Sequence, residues 1–233
     1  RVSEYFKMRH LAEGVSLRLG ASVTGGKRLA RGGHEIVLGG SESISADVLL
    51  GAIGVTPRSE LARGAGLALS GDFVAVNQNS QSSHPRIFAV GDIALGPNPL
   101  GEGARVPIAS LDNASWTASV AARYLVAGEV SSGRPAPTFW TEQYGARLQI
   151  AGLISAADRS VHRPGNGPDE FSVLHYEGDR IVAVEALGKP KDYLAVKRAL
   201  SYGLNIPSDV ASWPDLDLAG FIKSVMGGPS HQG

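Results

Sequence analysis

Stretches of period two and period 3.6 follow one another along this chain and predict a mixed α/β architecture. Residues 3–13 place Phe6, His10 and Leu11 close to one helical face, and Gly14 stands where a left-handed cap would end that helix. VSLRLGASVT (15–24) alternates apolar and polar side chains. It predicts one strand, and EIVLG predicts its partner after the glycine-rich turn GGKRLARGG. Val48, Leu49, Leu50, Ala52 and Ile53 make a continuous apolar run, which predicts a buried strand, and Gly54 to Pro57 turn the chain. Ser59 is placed to cap a short helix, SELARGAG, and DFVAV is a further strand.

The polar loop NQNSQSSHP leads to Ile87, Phe88, Ala89 and Val90, an apolar run bounded by Pro85 and Gly91 that predicts a strand covered on both faces. A loop rich in glycine and proline occupies 94–107. SLDNASWTASVAARYLVAG is helical, with Ser110 or Asp112 as N-cap and Gly128 as the stop. Composition shifts at SSGRPAP (131–137), which predicts a domain boundary. Beyond it RLQIAGL, EFSVLHY and RIVAVEAL have an antiparallel pattern, the last two joined by the turn EGD. A helix with Pro190 in its first turn then carries Tyr193, Val196, Leu200 and Leu204 on one side, and residues 227–233 read as a disordered tail.

Composition narrows the function. The 233 residues carry 22 basic and 22 acidic side chains, a balance that argues against nucleic-acid binding through bulk charge. No cysteine is present, which removes disulfides, thiolate metal sites and thiol redox chemistry, and the six histidines show no metal-ligand spacing. No apolar run reaches the length of a membrane span, and RVSEYFKMRH has no signal-peptide core, so a cytoplasmic protein without membrane partners is expected. The start on an amphipathic stretch without methionine suggests a fragment or a processed chain.

Gly91 and Asp92, at the end of the predicted strand 87–90, are the first candidates for chemistry. Two readings compete. Asp92 either opens a turn through its own downstream backbone, or lies at the carboxyl edge of an α/β sheet and accepts a hydrogen bond from a ligand hydroxyl, with Gly91 allowing close approach.

Three segments in order, LLGAIGVTPRSELARGAGL, VNQNSQSSHPRIFAVGDIA and FWTEQYGARLQIAGL, decide more than that pair does. Together they resemble the C-terminal half of the FAD-dependent NADH:ferredoxin reductases of the rubredoxin and putidaredoxin type, in the pyridine nucleotide-disulphide oxidoreductase superfamily. The resemblance covers nearly the whole chain. It implies a partial FAD/NAD(P)-binding, glutathione-reductase-like α/β fold, followed by an α+β interface domain with an antiparallel sheet. Residues 1–54 would be the second half of an NAD-binding domain, 55–132 the C-terminal part of the FAD domain, and 137–226 the interface domain.

The same resemblance implies a function and a site. Electrons would pass from NADH through FAD to a ferredoxin or similar iron–sulfur carrier that serves an oxygenase, with no protein group acting as catalytic acid, base or nucleophile. Asp92, beside Gly91, would bond the ribityl hydroxyls of FAD. The helix beginning near Leu111, with Asn113 in its first turn, would aim its N-terminus at the flavin pyrimidine edge. Trp140 would stand beside the isoalloxazine toward the iron–sulfur partner, and Gly54 would lie where the NAD-domain strand leaves toward the cofactor. Lys189, Lys191, Lys197 and Arg198 would steer an acidic carrier, or simply form a solvated helix face.

Two departures qualify the resemblance. Where the family carries a basic residue, Glu and Trp ahead of Asn-Ala, this chain has Pro107, Ala109 and Leu111, and the G-x-G-x-x-G turns that hold dinucleotide pyrophosphates are absent. The alternative is therefore a truncated or degenerate flavoprotein that acts as a partner-binding module. The oligomeric state is left open.

Overall fold

Two glycines in left-handed conformation close the hairpin that organises the first part of the chain. The computed structural model describes residues 1–39, 42–101, 105–133 and 135–227. Helix α1 (Val2–Ala12) ends at Gly14, φ +82°, as the pattern predicts. Strands β1 (Val23–Arg28), β2 (His34–Leu38) and β3 (Ser43–Ala46) form an antiparallel sheet in that order. The Leu29 N–H donates to the Gly33 carbonyl at 3.0 Å, with φ of +92° at Gly32 and +81° at Gly33.

That turn decides where the first strand lies. The alternating stretch 15–24 contributes only Val23 and Thr24. The strand runs on through Gly25, Gly26, Lys27 and Arg28, which the pattern assigns to the turn, because these residues pair with Val37, Ile36, Glu35 and His34. Closure of the hairpin outweighs side-chain alternation here.

The run Val48–Ile53 corrects the prediction more sharply. It forms no strand, and Leu50 and Ile53 are 87% and 99% exposed. A strand is held by ladder hydrogen bonds to a neighbour, and among the described residues nothing pairs with this run. Residues 1–56 form one compact unit and 57–233 another.

The second unit opens with α2 (Glu60–Gly64), with Ser59 at its N-cap position but making no side-chain cap bond. Strands β4 (Leu69–Ser70), β5 (Phe73–Ala75) and β6 (Ala94–Leu95) form a small mixed sheet around Val74, Val76 and Ala94. The predicted strand 87–90 reaches an extended end at Val90, φ −134° and ψ 161°. Its pairing among the described residues is a single bridge, Gln81 to Phe88, so it too lacks a ladder and is not a strand. Helix α3 (Leu111–Ala127) has Ser110 as N-cap and Gly128 in left-handed conformation at its end.

A five-stranded antiparallel sheet completes the unit, in the order β7 (Thr138–Gln143), β8 (Ala146–Gly152), β11 (Arg180–Leu187), β10 (Phe171–Glu177), β9 (Arg159–Pro164). The three predicted strands are the three inner ones. The edges β7 and β9 carry Thr, Glu, Arg and His, the polar content that edge strands tolerate, and so show no apolar run. Helix α4 (Pro190–Ser201) packs on one face with α5 (Ser208–Ala211) and α6 (Leu218–Gly227), burying Leu174, Val184, Val196, Leu218 and Ile222. The predicted tail beyond Gly227 lies outside the described residues.

Two polar ties hold this layer together. Arg163 on β9, 2% exposed, donates to the Asp192 carboxylate on α4 at 3.2 Å and to the carbonyls of Ala211, Trp213 and Leu216 at 2.6, 2.8 and 2.7 Å. Asp179, in the β10–β11 turn, accepts from the Ser208 hydroxyl at 2.9 Å and its amide at 3.4 Å, and these bonds hold its carboxyl below the usual 3.8. A carboxylate that ionises more readily in the folded state stabilises the fold above the unfolded pKa, and that contribution is lost as pH falls through the folded value. Asp179→Asn is accordingly expected to melt below the unaltered protein at pH 7. The gap should narrow as pH falls below the unfolded value and through the lower folded one, in thermal melts across the acid range.

Candidate functional site

The start of α3 is fixed by its own side chains before any ligand is considered. The Ser110 backbone is extended, and its Oγ accepts the Asn113 N–H at 3.2 Å. The Asn113 side chain turns inward and donates to the Ile108 carbonyl at 2.7 Å, so it shapes the helix entry rather than facing outward. The first-turn N–H groups of Leu111 and Asp112 have no intrahelical acceptor, which leaves donors and the positive end of the helix dipole at this point.

Strand β7 is tied to that helix end. The Thr138 hydroxyl donates to the Asp112 carboxylate, and Trp140, two residues on, projects from the same side of the strand. Trp140 is 65% exposed and shares with Ser110, Leu111 and Asp112 a cleft of about 180 Å³. The Arg147 guanidinium lies 5.9 Å from the centre of its ring, a cation–π contact. Leu111 is also exposed, so the cleft offers an aromatic and an aliphatic wall.

Gly91 and Asp92 meet the same helix one turn further in. The Gly91 N–H donates to Thr117 Oγ1 at 2.9 Å, and a Cβ on Gly91 would stand 3.6 Å from that of Ala114. With φ +71° the backbone there suits glycine. Asp92 follows in a single 3₁₀ turn, exposed, with no partner for its carboxylate among the described residues. Four predicted site residues, Gly91, Asp92, Leu111 and Trp140, thus sit on or beside the first two turns of α3. Gly54 belongs to the first unit, with φ +87° and no atom within 4 Å of where a Cβ would be, so backbone conformation alone accounts for it.

The cationic cluster is smaller than the sequence suggests. Lys189 is drawn into an ion pair with Asp192 at 3.1 Å and donates to the Pro164 carbonyl at 3.2 Å, while Lys197 lies over the Tyr193 ring. Lys191 and Arg198 keep exposed positions on α4. Among the described residues no group of acidic, histidine or cysteine side chains could hold a metal ion, and no helix is long and apolar enough to cross a membrane.

Sequence reasoning missed Asp112, Thr138 and Thr117 as organisers of the site. Asp112 carried a signal only as a possible cap, and the Thr138 contact depends on β7, which no apolar run announces.

This arrangement of a partial dinucleotide-binding fold followed by a five-stranded antiparallel sheet is that of the FAD- and NAD-dependent reductases. Residues 1–118 match the pyridine nucleotide-disulphide oxidoreductase family and residues 138–222 the reductase C-terminal family. The chain belongs to the pyridine nucleotide-disulphide oxidoreductase family. It is 32% identical to rhodocoxin reductase of Rhodococcus erythropolis over 93% of its length and 50% of that protein. It is also 32% identical to putidaredoxin reductase CamA of Pseudomonas putida, over 96% of this chain and 53% of the other. The crystal structure of the covalent putidaredoxin reductase–putidaredoxin complex superposes with a TM-score of 0.88 at 29% identity, covering 97% of this chain and 54% of that one. The chain spans about half the length of the curated relatives it matches.

Proposed function

We propose that this chain contributes to a flavoprotein oxidoreductase that passes electrons from NADH through FAD to a ferredoxin-type iron–sulfur protein. The observation that carries the proposal is the cleft in which exposed Trp140 stands against the first turn of α3, with Asp92, whose carboxylate has no partner among the described residues, next to Gly91 on the following turn. The donor set fits the group. A free carboxylate suits a polyol such as the ribityl chain, unfilled helix-start N–H groups suit the electronegative edge of a flavin, and a flat aromatic wall suits its ring. FAD, when bound, supplies hydride acceptance and one-electron release. The protein's part is to orient the ring, exclude water with Trp140 and Leu111, and offer N–H donors where negative charge develops.

The proposal extends to the division of the chain into an NAD-domain segment (1–54), an FAD-domain segment (55–132) and an interface domain (137–226). It also includes a cytoplasmic setting, where a nicotinamide-dependent reductase meets its reduced dinucleotide. A second reading, a partner-binding module without electron transfer, is favoured by Pro107 and Ala109, which bring neither charge nor a proton carrier to the helix entry.

An absorption spectrum of the purified protein, with NADH-driven reduction of an artificial acceptor on the same sample, separates the two. Flavin bands with acceptor reduction are expected. A colourless protein that stays colourless after incubation with FAD would leave only the binding-module reading. Trp140→Ala adds a finer test. Because the ring is mostly exposed, stability should change by less than about 1 kcal/mol. Reduction of an iron–sulfur carrier should fall at least tenfold while the small artificial acceptor is reduced nearly as before.

A further inference from the structure

We infer that Thr117 is a positioning residue, whose side chain holds the Gly91 amide and thereby aims the Asp92 carboxylate at a ligand polyol. The inference rests on the flavin reading above and goes beyond it in naming the device that sets Asp92. Thr117 lies buried on α3, one turn beyond Ala114, so it faces the Gly91 turn rather than the cleft. Its hydroxyl is placed by its own helix, donating to the Asn113 carbonyl at 2.8 Å, which leaves an oxygen lone pair for the Gly91 N–H at 2.9 Å. Gly91 immediately precedes Asp92 and adopts φ +71°, so the bond to its amide anchors the Val90–Gly91 peptide, one residue ahead of the Cα from which the carboxylate departs.

A second contact closes the clamp from the other side. Ser80 is 2% exposed and takes φ +62°, a left-handed conformation that is strained for a non-glycine residue. Its hydroxyl donates to the Thr117 carbonyl at 3.2 Å, and its carbonyl accepts the Ala89 N–H at 3.0 Å. A buried, strained serine therefore bridges α3 to the extended segment that ends in Gly91. That segment has no ladder among the described residues, so these few bonds set where it ends.

Three chains test this: the unaltered protein, Thr117→Val, which is nearly isosteric but cannot accept the Gly91 N–H, and Thr117→Ser, which can. Amide hydrogen exchange is measured without FAD, and FAD affinity by flavin fluorescence. Thr117→Val should raise exchange at Gly91 about fivefold and weaken FAD binding about fivefold, the effect of one lost hydrogen bond, while Thr117→Ser stays within twofold on both. Thr117→Ala should repeat the valine result, which keeps the test usable if valine impairs folding. Equal FAD affinity in the unaltered and valine proteins, or equal losses in valine and serine, would overturn the inference while leaving the flavin reading intact. An unaltered protein that takes up no FAD would overturn both.

Discussion

Arg163→Met is expected to destabilise the second unit by about 3–5 kcal/mol, lowering its melting temperature by on the order of 10 °C. The guanidinium is almost wholly buried and spends its donors on one carboxylate and three backbone carbonyls, all within 3.2 Å. Methionine matches its bulk and supplies none of those donors. The carbonyls of Ala211 and Leu216 then lose the donor that Arg163 gives them, that of Trp213 keeps only the Leu216 N–H at 3.2 Å, and the segment joining α5 to α6 loses its tie to β9. Asp192 keeps two partners, the Ser172 hydroxyl at 2.5 Å and Lys189, so it is not left as a lone buried charge. Arg163→Lys keeps the charge but replaces a rigid fork with one compact ammonium that cannot reach four acceptors at once, and should cost about half as much. Asp192→Ala leaves the guanidinium without its counter-charge. The double variant should therefore lose clearly less than the sum of the two single losses in denaturant melts. A loss under about 1 kcal/mol for Arg163→Met would mean that water replaces the arginine at those carbonyls.

The elements legible in the sequence are those whose side chains meet a partner within the chain. Alternation in RLQIAGL, EFSVLHY and RIVAVEAL corresponds to β8, β10 and β11 because each is flanked on both sides by another strand of the same sheet. Helices α3 and α4 follow from their caps and one-sided apolar positions, and Pro190 opens α4 as predicted. The apolar runs 48–53 and 87–90 fail for related reasons. Hydrophobicity states that a segment suits burial, whereas a strand also requires a ladder of a neighbour's N–H and C=O groups; among the described residues none pairs with 48–53, and 87–90 has only the single bridge of Phe88 to Gln81. Of the proposed site, Asp92 and Trp140 are singled out by motif resemblance. The clamp formed by Ser80 and Thr117 is not, because a positive φ at serine and a threonine hydroxyl turned toward Gly91 leave no periodic trace.

Asp92→Ala is expected to weaken FAD binding by roughly 10- to 100-fold, the cost of about 1.5–3 kcal/mol for charge-assisted hydrogen bonds to a ligand hydroxyl. Fold stability should change by less than about 0.5 kcal/mol, because the carboxylate is exposed and has no partner among the described residues. That split separates the two readings with which Asp92 began. A turn-opening aspartate contributes through its own downstream backbone, so its loss would lower the melting temperature and leave ligand affinity unchanged. A ligand-binding aspartate does the reverse. Asp92→Asn refines the test, since the amide oxygen still accepts a hydrogen bond but without charge, and should fall between the two in affinity. Gly91→Ala belongs to the same experiment. Its Cβ meets Ala114 only at an ordinary 3.6 Å, so any loss it causes comes from the left-handed backbone at φ +71° and not from crowding. If Gly91→Ala weakens FAD binding while Asp92→Ala does not, the backbone turn carries the contact and the carboxylate is a bystander. If both weaken it, the turn and the carboxylate act as one unit, with the glycine setting the direction in which the aspartate points.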